Sequence, residues 1–302
     1  MKILGRYKNG NYKVTILNDG TKIRETEENA FLPEFPECMD VKITDKCDGG
    51  CLWCYEGCSI NGKHADLIDG DKPKQKWIES LKPYTELALN GNDLTHPQLR
   101  EFLEYLKSKK VIANITVNQR HFLEKFDFIE ELVENKLIYG VGVSLSDSSE
   151  NVLYEYLEKI PNTVIHTIAG ILAYDDIVQL MNHHCKVLIL GYKKVGRGEK
   201  YYQFENLKID KKIAMLKLCL SEMIKECKVV SFDNLAINQL DVKNTLFKDR
   251  SDWDEFYMGD DGEFTFYIDA VNQTYSKNSL NKDECFQIKD NVIEMFNHVK
   301  TL

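Results

Sequence analysis

Short apolar runs alternate with helical stretches between residues 40 and 235, and this alternation restricts the fold more than any other feature of the chain. Apolar residues recur at helical spacing in residues 97–108, 122–134, 149–159, 174–182 and 209–225. The apolar runs between them predict seven strands: Val41–Thr44, Glu86–Leu89, Val111–Val117, Tyr139–Leu145, Thr163–Ile168, Lys186–Leu190 and Lys228–Phe232. About six strand–helix units in series are typical of an α/β fold whose parallel sheet has helices outside it and is curled or closed as a barrel.

The two ends of the chain differ from this central region. Residues 1–25 contain three β-prone runs separated by NG and NDG turn signals, which predict a small β-meander. Residues 253–302 hold a β-rich stretch followed by a short helical stretch, as expected for a short α+β appendage. The sequence therefore divides into a meander with its connector (1–37), a central region (38–240) and a C-terminal extension (241–302).

The charge of the chain restricts its partners. It has 39 Lys and Arg residues against 48 Asp and Glu residues, a formal net charge of −9 at pH 7. Because this charge opposes attraction to nucleic-acid phosphates and anionic lipids, we expect neither a nucleic-acid nor a membrane partner. No apolar run reaches the roughly 18 residues of a membrane helix, and the N-terminal sequence MKILGRYKNG lacks the apolar core of a signal peptide. These features predict a cytoplasmic protein.

Cysteines are concentrated directly after the first predicted strand of the central region. The chain has nine cysteines, and in a cytoplasmic protein they favour metal binding or chemistry over disulfides. Cys47, Cys51 and Cys54 are separated by three and two residues, and Gly49 and Gly50 let the backbone fold closely between them. Three thiolates at this spacing can enclose one cubane iron–sulfur cluster and leave one of its irons open to bind a small molecule.

Two other ligand sets use Cys58 as a fourth thiolate. Structural zinc takes four tetrahedral ligands, and a ferredoxin-type cluster has a protein ligand on every iron. Zinc sites usually pair two cysteine knuckles across a longer loop, and the spacing of Cys47, Cys51, Cys54 and Cys58 differs from both ferredoxin patterns. We therefore expect Cys58 to be unligated.

The sequence CDGGCLWC at residues 47–54 resembles the Cys-x3-Cys-x2-Cys motif of the radical S-adenosylmethionine (SAM) superfamily, and the resemblance covers roughly residues 40–235. Other segments look like short radical SAM proteins of anaerobic bacteria and their phages: residues 5–10, 191–193, 231–236 and 257–262. The resemblance implies a partial (β/α)6 barrel of the radical SAM type. It also implies that Cys47, Cys51 and Cys54 bind three irons of a [4Fe-4S] cluster whose fourth iron binds SAM.

The resemblance also indicates which residues contact SAM. Trp53 occupies the family's aromatic position before the third cysteine, where the backbone contacts adenine, and Tyr55 flanks the cluster. Asn90, Gly91 and Asn92 replace the family's Gly-Gly-Glu-Pro turn, which binds the SAM amino group, and Asn92 stands where a glutamate is usual. Later strand ends supply further cofactor candidates by analogy: Asn118, Ser144, Ser146, His166, Gly191 and Tyr192.

The resemblance implies an oxygen-sensitive enzyme that cleaves SAM reductively to a 5′-deoxyadenosyl radical, which abstracts a hydrogen atom from a C–H bond. Its electrons would come from a low-potential donor such as flavodoxin or ferredoxin. We expect Lys193 and Arg197, after the sixth strand, to be free to meet an anionic group. We expect a peptide substrate, docked as an extended strand against the meander or the tail. A nucleotide or another small molecule is the alternative substrate, and a non-catalytic iron–sulfur or zinc protein is the alternative outside enzymes.

Overall fold

The computed structural model describes residues 2–91, 93–247, 249–281 and 283–302. In the central region its strands lie close to the predicted ones. The strands are β1 (Ile3–Asn9), β2 (Tyr12–Leu17), β3 (Lys22–Glu25), β4 (Cys38–Lys42), β5 (Ile68–Asp69), β6 (Lys72–Pro73), β7 (Glu86–Asn90), β8 (Ile112–Asn118), β9 (Gly140–Ser144), β10 (Thr163–Ile168), β11 (Lys186–Leu190), β12 (Val229–Phe232), β13 (Thr265–Asp269), β14 (Thr274–Ser276) and β15 (Phe286–Gln287).

One sheet of ten strands forms the centre of the molecule, in the order β12-β11-β10-β9-β8-β7-β4-β13-β14-β15. The strands from β4 to β12 in this sheet all pair in parallel, so the prediction of an α/β fold with a large parallel sheet is confirmed. Within the described part of the chain, the outer strands β12 and β15 do not pair with each other, and the sheet is open. Its curvature into a partial (β/α)6 barrel stays a prediction.

The C-terminal segment belongs to this sheet. β13 pairs in parallel with β4, on the side of β4 away from β7, and β14 and β15 continue the sheet in antiparallel pairs. The expected appendage therefore supplies three strands of the main sheet. The sequence pattern could not show this, because the strand that β13 pairs with lies more than 200 residues earlier in the chain.

The helices lie between the strands and after them. They are α1 (Leu99–Ser108), α2 (Gln119–Glu124), α3 (Phe126–Glu134), α4 (Asn151–Lys159), α5 (Tyr174–Asn182), α6 (Arg197–Glu226), α7 (Asn234–Gln239), α8 (Val242–Leu246), α9 (Arg250–Phe256) and α10 (Val292–Val299), with short 3-10 helices at Lys76–Ser80 and Asp93–Thr95. The predicted helix at 122–134 is two helices, because Lys125 leaves helical geometry at φ −120° and ψ 27°. The predicted helix at 209–225 begins earlier, at Arg197, and is kinked at Glu205, where φ −118° and ψ 15° are not helical. Its first turns bury few apolar side chains, so the apolar spacing did not reveal them.

The N-terminal strands form the predicted meander, a separate antiparallel sheet in the order β1-β2-β3. Its apolar face packs on residues at the amino ends of the parallel strands, including Ile112 and Phe264. The meander thus covers the amino end of the main sheet, opposite the end at which the β4–β7 loop with its cysteines emerges.

Candidate functional site

The two faces of the parallel sheet have different chemistry. Residues such as Val41, Leu89 and Val117 are fully buried under the helices. The alternate residues are polar, and Asp40 is exposed and His166 partly exposed. Neighbouring protein atoms still hinder the solvation of charge on this face, which raises the pKa of Asp40 to about 6 and lowers the pKa of His166 to about 4. Parallel sheets are usually covered on both faces, so an open polar inner face indicates a binding site.

The three predicted cluster ligands lie in a loop that begins at the carboxyl end of β4 and whose two ends pair with each other at its base. Isolated bridges join Thr44 to His64 and Lys46 to Ser59 at the base of this loop. The base leaves no room for a side chain at Gly62, because an added Cβ there would lie 2.0 Å from the Asp45 carbonyl oxygen. We call residues 45–62 the cysteine loop.

The donor atoms of the cysteine loop suit an iron–sulfur cluster. A Cβ at Gly49 would lie 3.3 Å from the Cys47 Sγ and 3.7 Å from the Cys51 Sγ, so these two sulfurs face the same small volume. Burial raises the pKa of both thiols. A hydrogen bond from Cys58 lowers the pKa of Cys54 to about 6, which favours the thiolate that metals bind. Across the described residues, no three His, Cys, Asp or Glu side chains are grouped as ligands of a single metal ion.

Cys58 points to the base of the loop rather than to its outer end. Its side chain is buried at 7% exposure, and its Sγ lies 4.0 Å from the Thr44 carbonyl oxygen. The hydrogen bond to the Cys54 thiolate gives Cys58 a role that needs no metal. Sequence spacing alone does not reveal this contact.

Arg197, at the start of α6, holds the cysteine loop from one side. Its Nε donates to the Cys51 carbonyl oxygen at 3.0 Å and its Nη1 to the Cys58 carbonyl oxygen at 2.9 Å. Its backbone N–H donates to the Cys54 carbonyl oxygen at 3.2 Å. The expectation that Arg197 is free to meet an anion is therefore wrong, because its guanidinium is already bonded to backbone carbonyls.

Helix α2 holds the other side of the loop. Asp48 lies between Cys47 and Gly49 in the sequence, and its carboxylate pairs with Arg120 and contacts the Nε2 of His121 at 3.3 Å. These opposite charges lower the pKa of Asp48 against the effect of its partial burial. The sequence analysis missed Asp48, Arg120 and His121, and the only available signal was the position of Asp48 inside the motif.

Lys193 packs on Tyr55, a residue of the cysteine loop. The Lys193 Nζ is 3.9 Å from the centre of the Tyr55 ring and donates to the Ser279 Oγ at 3.1 Å. Lys193 is thus not free, contrary to the expectation. Burial opposes the charge of its ammonium, but Tyr55, Asp233 and Asp40 together keep the pKa of Lys193 above the usual value.

The residues at the ends of β7 and β8 have unused hydrogen-bonding atoms. The Asn90 Oδ1 and the Asn118 Nδ2 are buried and have no hydrogen-bond partner among the described residues. Asn118 uses its other side-chain atom, Oδ1, to accept from the His121 N–H and cap α2. Gly91 has φ +117°, and a Cβ there would lie 2.7 Å from the Thr44 carbonyl oxygen, so only glycine fits. Asn92 lies outside the described residues.

The candidates on β9 and β10 divide into two groups. Ser144 is exposed and pairs in register with His166 on the next strand. The His166 ring fills the space above Gly142, where a Cβ would lie 2.2 Å from it. Ser146, in contrast, donates its hydroxyl to the Oε1 of the buried Gln119 at 3.3 Å. Ser144 and His166 therefore line the inner face, whereas Ser146 fixes a loop.

The remaining candidates are packed into the structure. Gly191 donates its N–H to the Asp233 Oδ1 at 2.9 Å. Tyr192 is 2% exposed, and its hydroxyl donates to the Gly198 carbonyl oxygen at 2.7 Å. Trp53 is half-buried, with its ring centre 5.8 Å from that of Tyr201. The side chain of Tyr192 therefore joins the segment before α6 to the first turn of that helix.

A polar cavity of about 530 Å³ adjoins the cysteine loop. The Lys42 Nζ lies in its wall and forms ion pairs with Asp45, Glu56 and Asp269, at 2.9, 3.4 and 2.5 Å. The Tyr267 hydroxyl donates to the Glu56 Oε1 at 3.0 Å. Three carboxylates therefore surround one ammonium, and the wall has an excess of negative charge.

Comparison with solved structures assigns the fold. The chain is similar to SuiB of Streptococcus suis bound to S-adenosylmethionine, with a TM-score of 0.60 over 97% of this chain and 85% of that chain. A second SuiB structure matches 99% of this chain and 87% of its own at a TM-score of 0.57. The chain has a radical SAM-like fold. Sequence identity is 14% in both cases, so the likeness concerns the fold alone.

Two sequence comparisons gave no match: no protein-family model and no curated protein matches this chain. Within the described residues, no helix is both long enough and apolar enough to span a membrane.

Proposed function

We propose that this chain is a radical SAM enzyme in which Cys47, Cys51 and Cys54 bind a [4Fe-4S] cluster. The observation that carries the proposal is the position of these thiols, in one loop at the carboxyl end of β4 in a radical SAM-like fold. When bound, the cluster and SAM would supply a one-electron reductive cleavage of SAM and, through it, hydrogen-atom abstraction from a C–H bond of the substrate.

The residues of this chain hold and orient the reactants. Arg197 and Arg120 fix the cysteine loop from opposite sides, so that the three thiols are held in place before the cofactors bind. The unpartnered Asn90 Oδ1 can accept a hydrogen bond from the SAM ammonium, and the Asn118 Nδ2 can donate one to its carboxylate or ribose. Because burial keeps His166 neutral, it can donate or accept a hydrogen bond on the inner face without adding charge.

The polar cavity beside the cysteine loop supports a peptide substrate over a nucleotide. Its volume of about 530 Å³ lies in the range of small-molecule sites. The carboxylates of Asp45, Glu56 and Asp269 outnumber the Lys42 ammonium, and this charge repels a phosphate but accepts a basic or neutral side chain. The meander lies at the opposite end of the sheet, so we propose that the substrate reaches the radical from the carboxyl end of the strands.

The proposal is tested by anaerobic reconstitution with iron and sulfide. The native chain is expected to bind four irons and, with dithionite and SAM, to release 5′-deoxyadenosine. Cys51→Ala removes one cluster ligand and is expected to abolish this product. Cys58→Ser is the matched control, because the Cys58 thiol serves as a hydrogen-bond donor to Cys54 and to the Thr44 carbonyl oxygen, and a hydroxyl in its place can still donate.

Two results would contradict the proposal. If Cys58→Ser loses the metal as completely as Cys51→Ala, the site has four cysteine ligands, as in a ferredoxin-type cluster or a zinc site. If the purified chain contains zinc without iron or sulfide, the site is structural.

A further inference from the structure

Helix α6 exposes large apolar side chains in both its halves. Phe204 is 85% exposed, Leu207 75% and Leu218 85%. The same helix buries Ile209, Leu216, Leu220 and Met223 against the rest of the molecule. At about 100° per residue, Leu207 and Leu218 lie on the side of the helix opposite these buried residues. The helix therefore has one apolar face in the core and a second apolar face in solvent, which is typical of an interaction surface.

Lysines lie beside one of these exposed apolar residues, Leu207. Lys208, Lys211 and Lys212 line a shallow cavity of about 460 Å³ together with Leu207 and Met215. Residues 205–212 carry three lysines against Glu205 and Asp210, and the Lys208 Nζ lies 3.8 Å from the Glu205 Oε2. This stretch therefore has a small net positive charge in a chain whose net charge is −9. Such a surface attracts an acidic partner, which the rest of the molecule repels.

This surface is continuous with the cysteine loop. The Trp53 ring, in the loop, contacts the ring of Tyr201 in the second turn of α6, at a centre-to-centre distance of 5.8 Å. Phe204 follows Tyr201 by one helical turn. On the loop side of the contact, Cys51 is exposed and Leu52 is 63% exposed. The contact between Trp53 and Tyr201 therefore joins the exposed part of the cysteine loop, which includes Cys51, to the exposed side of α6.

We infer that Leu52, Tyr201, Phe204, Leu207, Lys208 and Lys211 form the docking surface for a small acidic electron-transfer protein, and we name it the α6 docking surface. This inference rests on the proposed function, which needs one electron for each SAM cleaved. A standard interface covers about 800 Å² of each partner, roughly 30 Å across. A partner seated on Phe204 and Leu207 therefore also covers the cysteine loop.

The electron count defines the class of partner. The reduced donor, a flavin or an iron–sulfur protein, gives up one electron and is oxidised by one. That electron and the two electrons of the C5′–S bond of SAM end as a lone pair on the methionine sulfur and one unpaired electron on C5′. The sulfonium charge is neutralised, so no other reactant is needed.

Binding is the first readout of the test and does not depend on SAM cleavage. Oxidised flavodoxin and oxidised ferredoxin, each an acidic protein, are titrated separately into the reconstituted chain at low salt, and the Kd is measured by calorimetry. Native protein is expected to bind at least one of them, and more weakly as salt is added.

The variants change the charge or the apolar contact of the surface. We expect binding to weaken by about tenfold or more in the double variant Lys208→Glu with Lys211→Glu, and also in the single variant Phe204→Ser. Lys225→Glu, an exposed change in the last turn of the same helix, is expected to leave the Kd within about twofold.

The second readout separates this inference from the proposed function. With dithionite, which needs no docking, the α6 variants are expected to form 5′-deoxyadenosine at the native rate. With the reduced donor protein, they are expected to be about tenfold slower than native.

If neither donor binds, or if all variants bind equally well, the inference is wrong even when dithionite supports cleavage. It is also wrong if Phe204→Ser instead dissolves a dimer of the native chain. Absence of product with dithionite contradicts the proposed function. In that case the binding measurement alone tests the docking surface.

Discussion

At the scale of single residues, Arg197 is the side chain with the clearest structural role in the site. It joins the amino end of α6 to two carbonyl groups of the cysteine loop. Hydrogen bonds from a charged donor are stronger than neutral ones. Arg197 therefore acts as a positioning residue for the three cysteines. The hydrogen bonds described for its side chain go to backbone carbonyl oxygens and not to sulfur atoms.

Arg197→Gln removes both side-chain hydrogen bonds and is expected to loosen the loop. We expect the reconstituted variant to lose iron to a chelator about tenfold faster than native, since one such bond contributes roughly 1.5–3 kcal/mol. The rate is followed by the decay of the cluster absorbance. Arg100→Gln is the control, because Arg100 forms an exposed ion pair with Glu131 and lies over the Phe128 ring, both on α3 and not in the cysteine loop. Equal rates for the two variants would show that Arg197 does not hold the loop.

At the scale of elements, the meander closes the amino end of the main sheet. The Lys22 Nζ, on β3, lies 2.8 Å from the Glu86 Oε2, on β7, and both side chains are largely buried. The Tyr7 and Tyr84 rings stack at 6.2 Å, and the Arg24 guanidinium lies over the Phe264 ring at 3.8 Å. These contacts make the meander a cover for the sheet.

Lys22→Ala leaves the Glu86 carboxylate buried without its partner and is expected to lower the free energy of unfolding by about 3 kcal/mol. Burial raises the pKa of Glu86, but the charge and hydrogen bond of Lys22, with a hydrogen bond from Asn114, lower it below the usual 4.5. The stabilisation is thus complete above pH 4.5 and is lost as the pH falls through the depressed value.

Urea unfolding of the native and Lys22→Ala proteins at several pH values measures this effect. The difference between them is expected to be largest at neutral pH and to shrink in acid. Adding Glu86→Gln to Lys22→Ala is expected to restore part of the lost stability. Lys13→Ala, at an exposed position on β2, serves as the control, and an equal loss in this variant would count against the buried pair.

At the scale of the whole molecule, the sheet is completed by the C-terminal segment. β13 gives β4 its second neighbour, and Phe266, Ile268 and Phe296 from this segment are at most 2% exposed. The strand before the cysteine loop is therefore held between strands that come from distant parts of the chain.

A chain truncated after residue 240 is expected to lose cooperative unfolding and to aggregate, because it exposes an edge of β4 and the apolar residues packed on it. Near-ultraviolet circular dichroism and size-exclusion chromatography measure these outcomes. Removal of the exposed Thr301 and Leu302 alone is expected to change neither. A monomeric truncated protein with a sharp unfolding transition would show instead that the first 240 residues fold as an independent unit.

The sequence by itself determined the local features of this protein. Strand and helix positions followed from apolar spacing that repeats within about ten residues, and the cysteine spacing placed three thiols in one loop. Such patterns are visible because each depends on neighbours in the chain. The same reasoning located Asn90 and Asn118 at strand ends, where the structure leaves one atom of each without a partner.

Only the tertiary structure decided which distant groups meet. Arg197 bonds to Cys51, 146 residues earlier, and Asp48 pairs with Arg120, 72 residues later. The place of β13 beside β4 is likewise set by packing over most of the chain length. A polar side chain has the same local sequence signal whether it binds a ligand or a backbone carbonyl, because its partner is chosen by the folded sheet and not by its neighbours in sequence.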